Sequence, residues 1–171
     1  MEENAGIITM QGNPLTLIGK QPKIGEPAPD CTLLNNALSP VKISSFKGKV
    51  SVIASVPSLD TPVCDMEVRR FNKEAGNLGP DVAILTITTD LPFAQKRWCG
   101  AAGVDKVVTL SDHLSTSFGE AYGVLIKELR LLARAVFVLD REGVLQYVQL
   151  VKEVADEPDY NKVLEALKKL L

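Results

Sequence analysis

Apolar residues along the chain fall into short runs of two kinds, continuous runs typical of buried strands and runs with the three- and four-residue spacing of amphipathic helices. The run KVSVIASV, which ends at Val56, is continuous and rich in β-branched residues, so it predicts a central strand buried on both faces. VAILTITT and KVVTL have the same character, and a helical segment precedes each of them. The order strand, helix, strand, helix, strand predicts a sheet covered by helices.

The last third of the chain predicts a different arrangement. STSFGEAYG predicts a helix that ends at Gly123, and AVFVLD and VLQYVQLV predict two strands. The connection at residues 141–143 is hairpin-like, so these strands should pair antiparallel. The closing segment predicts an amphipathic helix with an apolar face formed by Val163, Leu164, Leu167, Leu170 and Leu171. The complete order predicts an α/β protein with a mixed central sheet and helices on both faces, the outline of a thioredoxin-like fold.

The N-terminal segment IITMQGNPLTLIGK consists of two apolar runs around a turn signal at residues 12–14. It predicts a β-hairpin over about residues 7–19 that decorates the main fold. CTLLNN and VKISSF predict two further short strands. No internal repeat or low-complexity linker divides the chain, so we expect one domain over residues 1–171.

Composition narrows the class of protein. With 171 residues, 46% of them hydrophobic, the chain can bury a sizeable core without disulfides or metals. A net charge of −2 without a basic tract argues against a nucleic-acid partner. The N-terminus has no basic targeting region, and no apolar run approaches the roughly 20 residues that a membrane helix needs. We therefore expect a soluble, cytoplasmic protein with no membrane partner.

The three cysteines, Cys31, Cys64 and Cys99, lie far apart in the sequence. This spacing fits neither a disulfide-dense secreted scaffold nor the close ligand pairs of structural zinc sites, so no metal is expected. The only histidine, His113, lies in the polar segment SDHLS. A cysteine hydrolase would need it beside Cys64, but no oxyanion motif accompanies it, and a loop or surface histidine is the better interpretation.

Cys64 lies where a helix should begin. Thr61 has the side chain of an N-cap and Pro62 suits the first helical position, so Cys64 falls in the first turn. The helical spacing of the following apolar residues turns Cys64 inward. The free N–H groups and the positive end of the helix dipole favour a thiolate there, which is the nucleophilic form.

The residues near Cys64 leave a second interpretation open. The carboxylates of Asp60, Asp65 and Glu67 would oppose a thiolate if they came close to it. A small buried hydrophobe on a helix face explains the residue type and the periodicity equally well. These local patterns alone do not decide between packing and chemistry.

Longer motifs favour chemistry. Pro57, Thr61 and Cys64 form P-x-x-x-T-x-x-C at the end of a buried strand, which resembles the peroxidatic motif of the peroxiredoxins. MQGNP, LPFAQKRWCG, FGEAYGV, LLARAVFV and EPDY are similar to the segments that mark the thiol peroxidase family, the atypical two-cysteine peroxiredoxins, and they occur in the expected order. The resemblance implies a thioredoxin-like fold, a homodimer, and reduction of hydrogen peroxide and of alkyl or lipid hydroperoxides. It also implies thioredoxin as the electron donor, with no cofactor.

The resemblance assigns roles by position. Cys64 would be the peroxidatic cysteine, and Cys99 in RWCG would be the resolving cysteine that forms a disulfide with it. Thr61 would supply the active-site hydroxyl, Arg134 in ARAVFV the active-site arginine, and Pro57 would shield the sulfur from water. Since both cysteines lie in predicted helices and a disulfide needs Cα atoms within about 7 Å, turns of these helices should unwind during each cycle.

Several alternatives remain beside this assignment. Cys31 has no role in the family pattern and is expected to be a buried strand residue. Without the resemblance, Cys99 would also be interpreted as a core residue. The protein could also be a thioredoxin-like binding module whose thiols have no catalytic role. Among peroxidases, the alternative is a one-cysteine cycle, in which an external thiol attacks Cys64.

Overall fold

The computed structural model describes all 171 residues. The strands are β1 (Glu3–Met10), β2 (Asn13–Ile18), β3 (Thr32–Leu34), β4 (Pro40–Lys42), β5 (Val50–Ser55), β6 (Val82–Thr88), β7 (Val108–Ser111), β8 (Leu125–Ile126), β9 (Ala135–Leu139) and β10 (Leu145–Leu150). The α-helices are α1 (Pro62–Leu78), α2 (Pro92–Ala102), α3 (Ser117–Ala121) and α4 (Tyr160–Lys168), and a 3₁₀ turn covers Ile43–Phe46. No helix combines the length and apolar content needed to cross a membrane.

The central sheet has seven strands in the order β10-β9-β5-β6-β7-β3-β4. Strands β5, β6 and β7 run parallel, whereas β9 pairs antiparallel with both β5 and β10. Strand β5 is buried along its whole length, as its continuous apolar sequence predicts. The predicted mixed sheet and the predicted antiparallel strand pair are both confirmed.

Helices cover both faces of this sheet, as predicted. On one face, Val68 and Phe71 of α1 and Val163 and Leu167 of α4 pack in a cluster with sheet residues such as Val52. The other face carries a larger cluster built around α3 and the N-terminal hairpin. The first of these clusters holds α1 against β5 and its neighbours, and this packing fixes the position of the helix.

The N-terminal hairpin is longer and more buried than predicted. It begins at Glu3 rather than near residue 7, and its turn lies at Gln11 and Gly12, both with positive φ. Ile8 and Leu17 are fully or almost fully buried, so the hairpin contributes to the core. Its second strand also pairs with the two-residue strand β8, which the sequence pattern does not predict.

The tip of the hairpin is tied to the chain that follows β10. The carboxylate of Glu153 accepts hydrogen bonds from Thr9 Oγ1 (3.1 Å) and from the backbone N–H of Gly12 (2.9 Å). The backbone N–H of Val154 donates to the carbonyl of Thr9 (2.9 Å). The first and last parts of the chain therefore meet at the hairpin tip.

Smaller differences occur at element ends. Of VKISSF, only the first two residues lie in β4, and the rest forms the 3₁₀ turn because Asp30 accepts hydrogen bonds from both the N–H and the hydroxyl of Ser44. Helix α3 ends at Ala121, two residues before Gly123. The predicted apolar face of α4 is confirmed at Val163 and Leu167, whereas Leu171 lies beyond the helix and is exposed.

Gly19, at the end of the hairpin, has a positive φ and no room for a side chain. A Cβ there would overlap the carbonyl oxygen of Glu120, whereas Gly12 also has a positive φ but faces open space. We expect Gly12→Ala to lower the free energy of unfolding by about 1 kcal/mol and Gly19→Ala by about 3 kcal/mol or more. Urea unfolding measures both, and an equal loss in the two variants would show that the contact with Glu120 is unimportant.

Candidate active site

The start of α1 holds Cys64 at the end of the central strand. Thr61 is the N-cap residue, its Oγ1 accepts a hydrogen bond from the backbone N–H of Cys64 (3.4 Å), and Pro62 is the first helical residue. Cys64 lies in the first turn and its side chain is 0% exposed. The predicted cap and the inward-facing cysteine are confirmed, and the sulfur lies close to the positive end of the helix dipole.

Arg134, the residue before β9, directs its guanidinium at this sulfur. Its Nη2 donates to Cys64 Sγ at 3.3 Å, Nη1 donates to Glu67 Oε2 at 2.7 Å, and Nε donates to the carbonyl of Val154 at 3.0 Å. The side chain is only 2% exposed. Burial alone would lower the pKa of Arg134, but the Cys64 sulfur and the Glu67 carboxylate raise it above the ordinary value, so the guanidinium stays charged.

Three other arginines, two on α1 and one shortly before β9, lie away from Cys64. Arg69 forms an ion pair with Asp65 on the exposed side of α1, and Arg70 does the same with Glu74. Arg130 donates to Thr116 Oγ1 in a surface loop. Arg134 is therefore the arginine that contacts Cys64.

Glu67 is part of the candidate site through its contact with Arg134. The sequence alone indicates only that its negative charge would disfavour a thiolate at Cys64. Glu67 lies three residues after Cys64 on the buried face of α1, and it is 0% exposed. Burial raises the pKa of Glu67 to about 7, against the lowering effect of Arg134. The signal in the sequence is a charged residue at a core position of the helix, which requires a buried partner.

The loop between β5 and α1 is fixed by a second residue that the motifs do not reveal. The carboxylate of Asp90 accepts from Ser58 Oγ (2.8 Å) and from the backbone N–H of Leu59 (2.9 Å). The carbonyl of Ser58 in turn accepts from the hydroxyl of Thr61 (3.0 Å). Asp90, two residues before α2, thus positions the cap of α1.

A surface pocket of about 260 Å³ opens beside the buried sulfur. Thr61 and Arg134, whose side chains hydrogen-bond to Cys64, both line it, and Pro57 forms part of its wall. The rest of the wall is mainly apolar. It comes from the hairpin tip, the start of α1 and the loop before it, the segment before β9 and the chain after β10: Met10, Gln11, Ser58, Pro62, Val63, Leu131, Val154 and Ala155.

Cys99 lies outside this arrangement. It is a half-buried residue in the last turn of α2, and its Sγ lies 3.6 Å from Thr109 Oγ1 of β7. Strand β7 is three strand spacings from β9, roughly 14 Å at the usual interstrand distance. All three cysteines are free thiols. Four of the predicted site residues come together, namely Pro57, Thr61, Cys64 and Arg134, and Cys99 stays apart.

Two further residues considered from the sequence have no contact with this site. Cys31 is 9% exposed and directly precedes β3, so its predicted burial is confirmed. Burial, with smaller contributions from Asp112 and Asp30, raises the pKa of Cys31 to about 12. His113 uses its backbone N–H to donate to Ser111 Oγ and is not a hydrogen-bond partner of Cys64. No group of three or more potential ligand side chains is arranged to hold a metal ion.

A central mixed sheet with a buried cysteine at the start of its first crossover helix is the arrangement of a redoxin, and the redoxin family model matches residues 23–164. A thiol peroxidase of Bacillus subtilis is 56% identical over 164 residues, covering 96% of this chain and 98% of that protein. The chain therefore belongs to the thiol peroxidase family, and it is a thiol-dependent peroxidase.

Solved structures agree with this family. The crystal structure of a peroxiredoxin-like protein from Aquifex aeolicus has a TM-score of 0.91 and 39% identity, covering 98% of both chains. A thiol peroxidase from Chromobacterium violaceum, at 21% identity, has a TM-score of 0.85 over 95% of both chains and supports the fold alone. The predicted thioredoxin-like fold is confirmed.

The raised pKa of Glu67 gives the stability of the protein a pH dependence. The folded protein binds this proton more tightly than the unfolded chain, whose carboxyl has a pKa near 4.5. The resulting stabilisation is fully present below about pH 4.5 and is lost as the pH rises through about 7. We therefore expect the free energy of unfolding to fall with increasing pH in this interval, and Glu67→Gln to reduce this fall.

Urea unfolding at a series of pH values measures this dependence. Glu74→Gln is the matched control, because Glu74 lies on the same helix but is partly exposed and paired with Arg70 on its surface. The control should retain the pH dependence of the unmodified protein. If Glu67→Gln also retained it in full, the assigned titration of Glu67 would be wrong.

Proposed function

We propose that this peroxidase reduces hydrogen peroxide and organic hydroperoxides by a two-cysteine cycle, with Cys64 as the peroxidatic and Cys99 as the resolving residue. The observation that carries the proposal is the 3.3 Å contact between Arg134 Nη2 and Cys64 Sγ at the start of a helix. A fixed positive charge and a helix N-terminus both favour the thiolate, which is the form that attacks.

In the first step, the Cys64 thiolate attacks the terminal oxygen of the hydroperoxide. An S–O bond forms as the O–O bond breaks, the sulfur is oxidised to a sulfenic acid, and the alkoxide or hydroxide that leaves takes up a proton. Negative charge moves from the sulfur along the two oxygens, so the Arg134 guanidinium faces this charge throughout the reaction.

The hydrogen bonds of Thr61 define how its hydroxyl assists this step. The hydroxyl proton is donated to the carbonyl of Ser58, and one lone pair accepts from the N–H of Cys64. The remaining lone pair is available to accept a hydrogen bond from the O–H of the peroxide. Thr61 therefore orients the peroxide as an acceptor, while Arg134 acts as a donor to its oxygens.

The pocket beside the sulfur supports organic as well as small peroxides. Its wall includes the apolar side chains of Pro57, Val63, Leu131 and Val154, against which an alkyl chain can be buried. Pro57 lies at this wall, where it limits the access of water to the sulfur. The chemistry needs no metal and no organic cofactor.

In the second step, the sulfenic acid on Cys64 reacts with the thiol of Cys99. A disulfide forms and one water molecule leaves, so Cys64 is protected from further oxidation. An external dithiol then supplies two electrons and reduces the disulfide by thiol–disulfide exchange. We propose thioredoxin as this donor, because the family resemblance implies it.

The resemblance also implies a homodimer that acts in antioxidant defence. Leu91 and Phe93, at the start of α2, are 53% and 67% exposed and offer an apolar surface. The exposed Leu129 lies in a loop that is joined to the segment before α2 by the hydrogen bond from Thr89 Oγ1 to the carbonyl of Arg130. The three free thiols fit the reducing environment of the cytoplasm.

Rapid mixing of the reduced protein with one equivalent of organic hydroperoxide, followed by intact mass and peptide mapping, tests the cycle. We expect an oxygen adduct on Cys64, followed by a Cys64–Cys99 crosslink. Cys64→Ser should abolish turnover, Cys99→Ser should leave a persistent sulfenic acid, and the control Cys31→Ser should turn over normally. Turnover by Cys64→Ser would refute the assignment, and full thioredoxin-dependent turnover by Cys99→Ser would indicate the one-cysteine cycle.

A second prediction concerns Arg134. Arg134→Lys keeps a positive charge but cannot donate to Cys64, Glu67 and Val154 at once, so we expect the rate constant of sulfenic acid formation to fall about 100-fold. Stopped-flow measurement with excess hydroperoxide gives this constant. Arg70→Lys is the control, because Arg70 pairs with Glu74 on the surface of α1. A rate within about twofold of the unmodified protein for Arg134→Lys would contradict its role.

A further inference from the structure

The chain neighbours of the two reactive cysteines contact each other across α1 and α2. Asp65 follows Cys64, and Trp98 precedes Cys99. The indole Nε1–H of Trp98 donates to Asp65 Oδ1 at 3.0 Å, and both residues are partly buried. This contact joins the helix that carries one thiol to the helix that carries the other.

The two cysteines themselves face away from this contact. Cys64 directs its sulfur at Arg134, and the sulfur of Cys99 lies against Thr109 of β7. Successive residues of an α-helix point in directions about 100° apart, so Trp98 occupies the side of α2 that faces α1 while Cys99 does not. A disulfide therefore requires both sulfurs to leave these partners and the two helix turns to move together.

Arg69 reinforces the contact from the exposed side. Its Nε donates to Asp65 Oδ2 at 2.9 Å, its guanidinium carbon lies 5.7 Å from the centre of the Trp98 ring, and its Nη1 donates to the carbonyl of Ala102 at 3.2 Å. The Ala102 carbonyl is at the C-terminal end of α2. Arg69 thus contacts Asp65, Trp98 and the last turn of α2 together.

We propose that the hydrogen bond between Asp65 and Trp98 is a latch that holds both helices folded during peroxide reduction and must open before Cys99 can reach Cys64. The inference rests on the proposed two-cysteine cycle and adds two positioning residues to it. Closed, the latch keeps Cys64 beside Arg134 for the first step. Open, it releases the turn of α2 that carries Cys99.

The latch therefore sets the lifetime of the sulfenic acid. While it is closed, a second hydroperoxide can react with the sulfenic acid on Cys64, with formation of another S–O bond, cleavage of the O–O bond and release of an alcohol. The product is a sulfinic acid, which leaves the cycle. Faster opening favours the disulfide over this product, and slower opening favours the sulfinic acid.

Trp98→Phe tests the latch, because phenylalanine keeps an aromatic ring but has no N–H. Loss of one hydrogen bond should accelerate disulfide formation about fivefold and lower the sulfinic fraction at high peroxide, while the rate of sulfenic acid formation stays unchanged. Rapid quenching and intact mass resolve the three products. A general loosening of the fold would instead slow the first step, because it would also disturb the contact between Arg134 and Cys64.

The chain contains a matched control for these measurements. Arg70 and Glu74 also form an i,i+4 ion pair on α1, and the Arg70 guanidinium lies 4.9 Å from the centre of an aromatic ring, that of Tyr160. Glu74→Gln should therefore leave both rates unchanged. Asp65→Asn keeps an acceptor for the indole but loses the charge, so it should accelerate disulfide formation less than Trp98→Phe.

Tryptophan emission gives an independent readout, because Trp98 is the only tryptophan of the chain. In the unmodified protein the emission should change together with disulfide formation, and in Cys99→Ser it should not change after peroxide is added. Absence of any Cys64–Cys99 disulfide in the unmodified protein would refute the proposed cycle. The latch alone would be refuted if the cycle were normal and both Trp98→Phe and Asp65→Asn formed the disulfide at the rate of the unmodified protein. An emission change in Cys99→Ser would also refute the latch alone.

Discussion

The buried guanidinium of Arg134 is the constraint on which the active site depends, because a charge removed from water is tolerated only when its donors have partners. Those partners are Cys64 and Glu67 on α1 and the carbonyl of Val154 after β10. A buried donor left without a partner costs about 1–3 kcal/mol. The same contacts of Arg134 therefore hold α1 in place and put a positive charge beside the sulfur.

The same anchoring conflicts with the second half of the proposed cycle. Peroxide reduction favours a rigid site, because the charge must face the reacting atoms without rearrangement, whereas the disulfide requires the two sulfurs to leave their partners. Both cysteines lie within one turn of a helix end, Cys64 at the start of α1 and Cys99 near the end of α2. Helix ends open at the lowest free energy, so the required motion can stay local.

The parts of the fold with local determinants could be predicted from the sequence. The start of α1 is specified by Thr61 and Pro62, and β5 is specified by its own continuous apolar run. Strand β8 has only two residues and forms because β2 lies beside it. Two residues are too few to show an alternating hydrophobic pattern in the sequence. The 3₁₀ turn after β4 depends in the same way on the distant carboxylate of Asp30.

The candidate site shows the same division. The motif identifies Cys64 and Thr61, which are close in sequence, and the family resemblance adds Arg134. The role of Glu67 depends on an arginine 67 positions away, and the role of Asp90 depends on a loop 32 positions before it. The sequence could indicate that a buried glutamate needs a partner, but only the assembled sheet supplies one.

The tie between the hairpin tip and the chain after β10 has a consequence for biosynthesis. Glu153 binds the hairpin through Thr9 and Gly12, and the next residue, Val154, supplies the acceptor for Arg134. A nascent chain on the ribosome contains Cys64 long before it contains Val154. The set of partners that holds the Arg134 guanidinium beside Cys64 Sγ is therefore complete only near the end of translation.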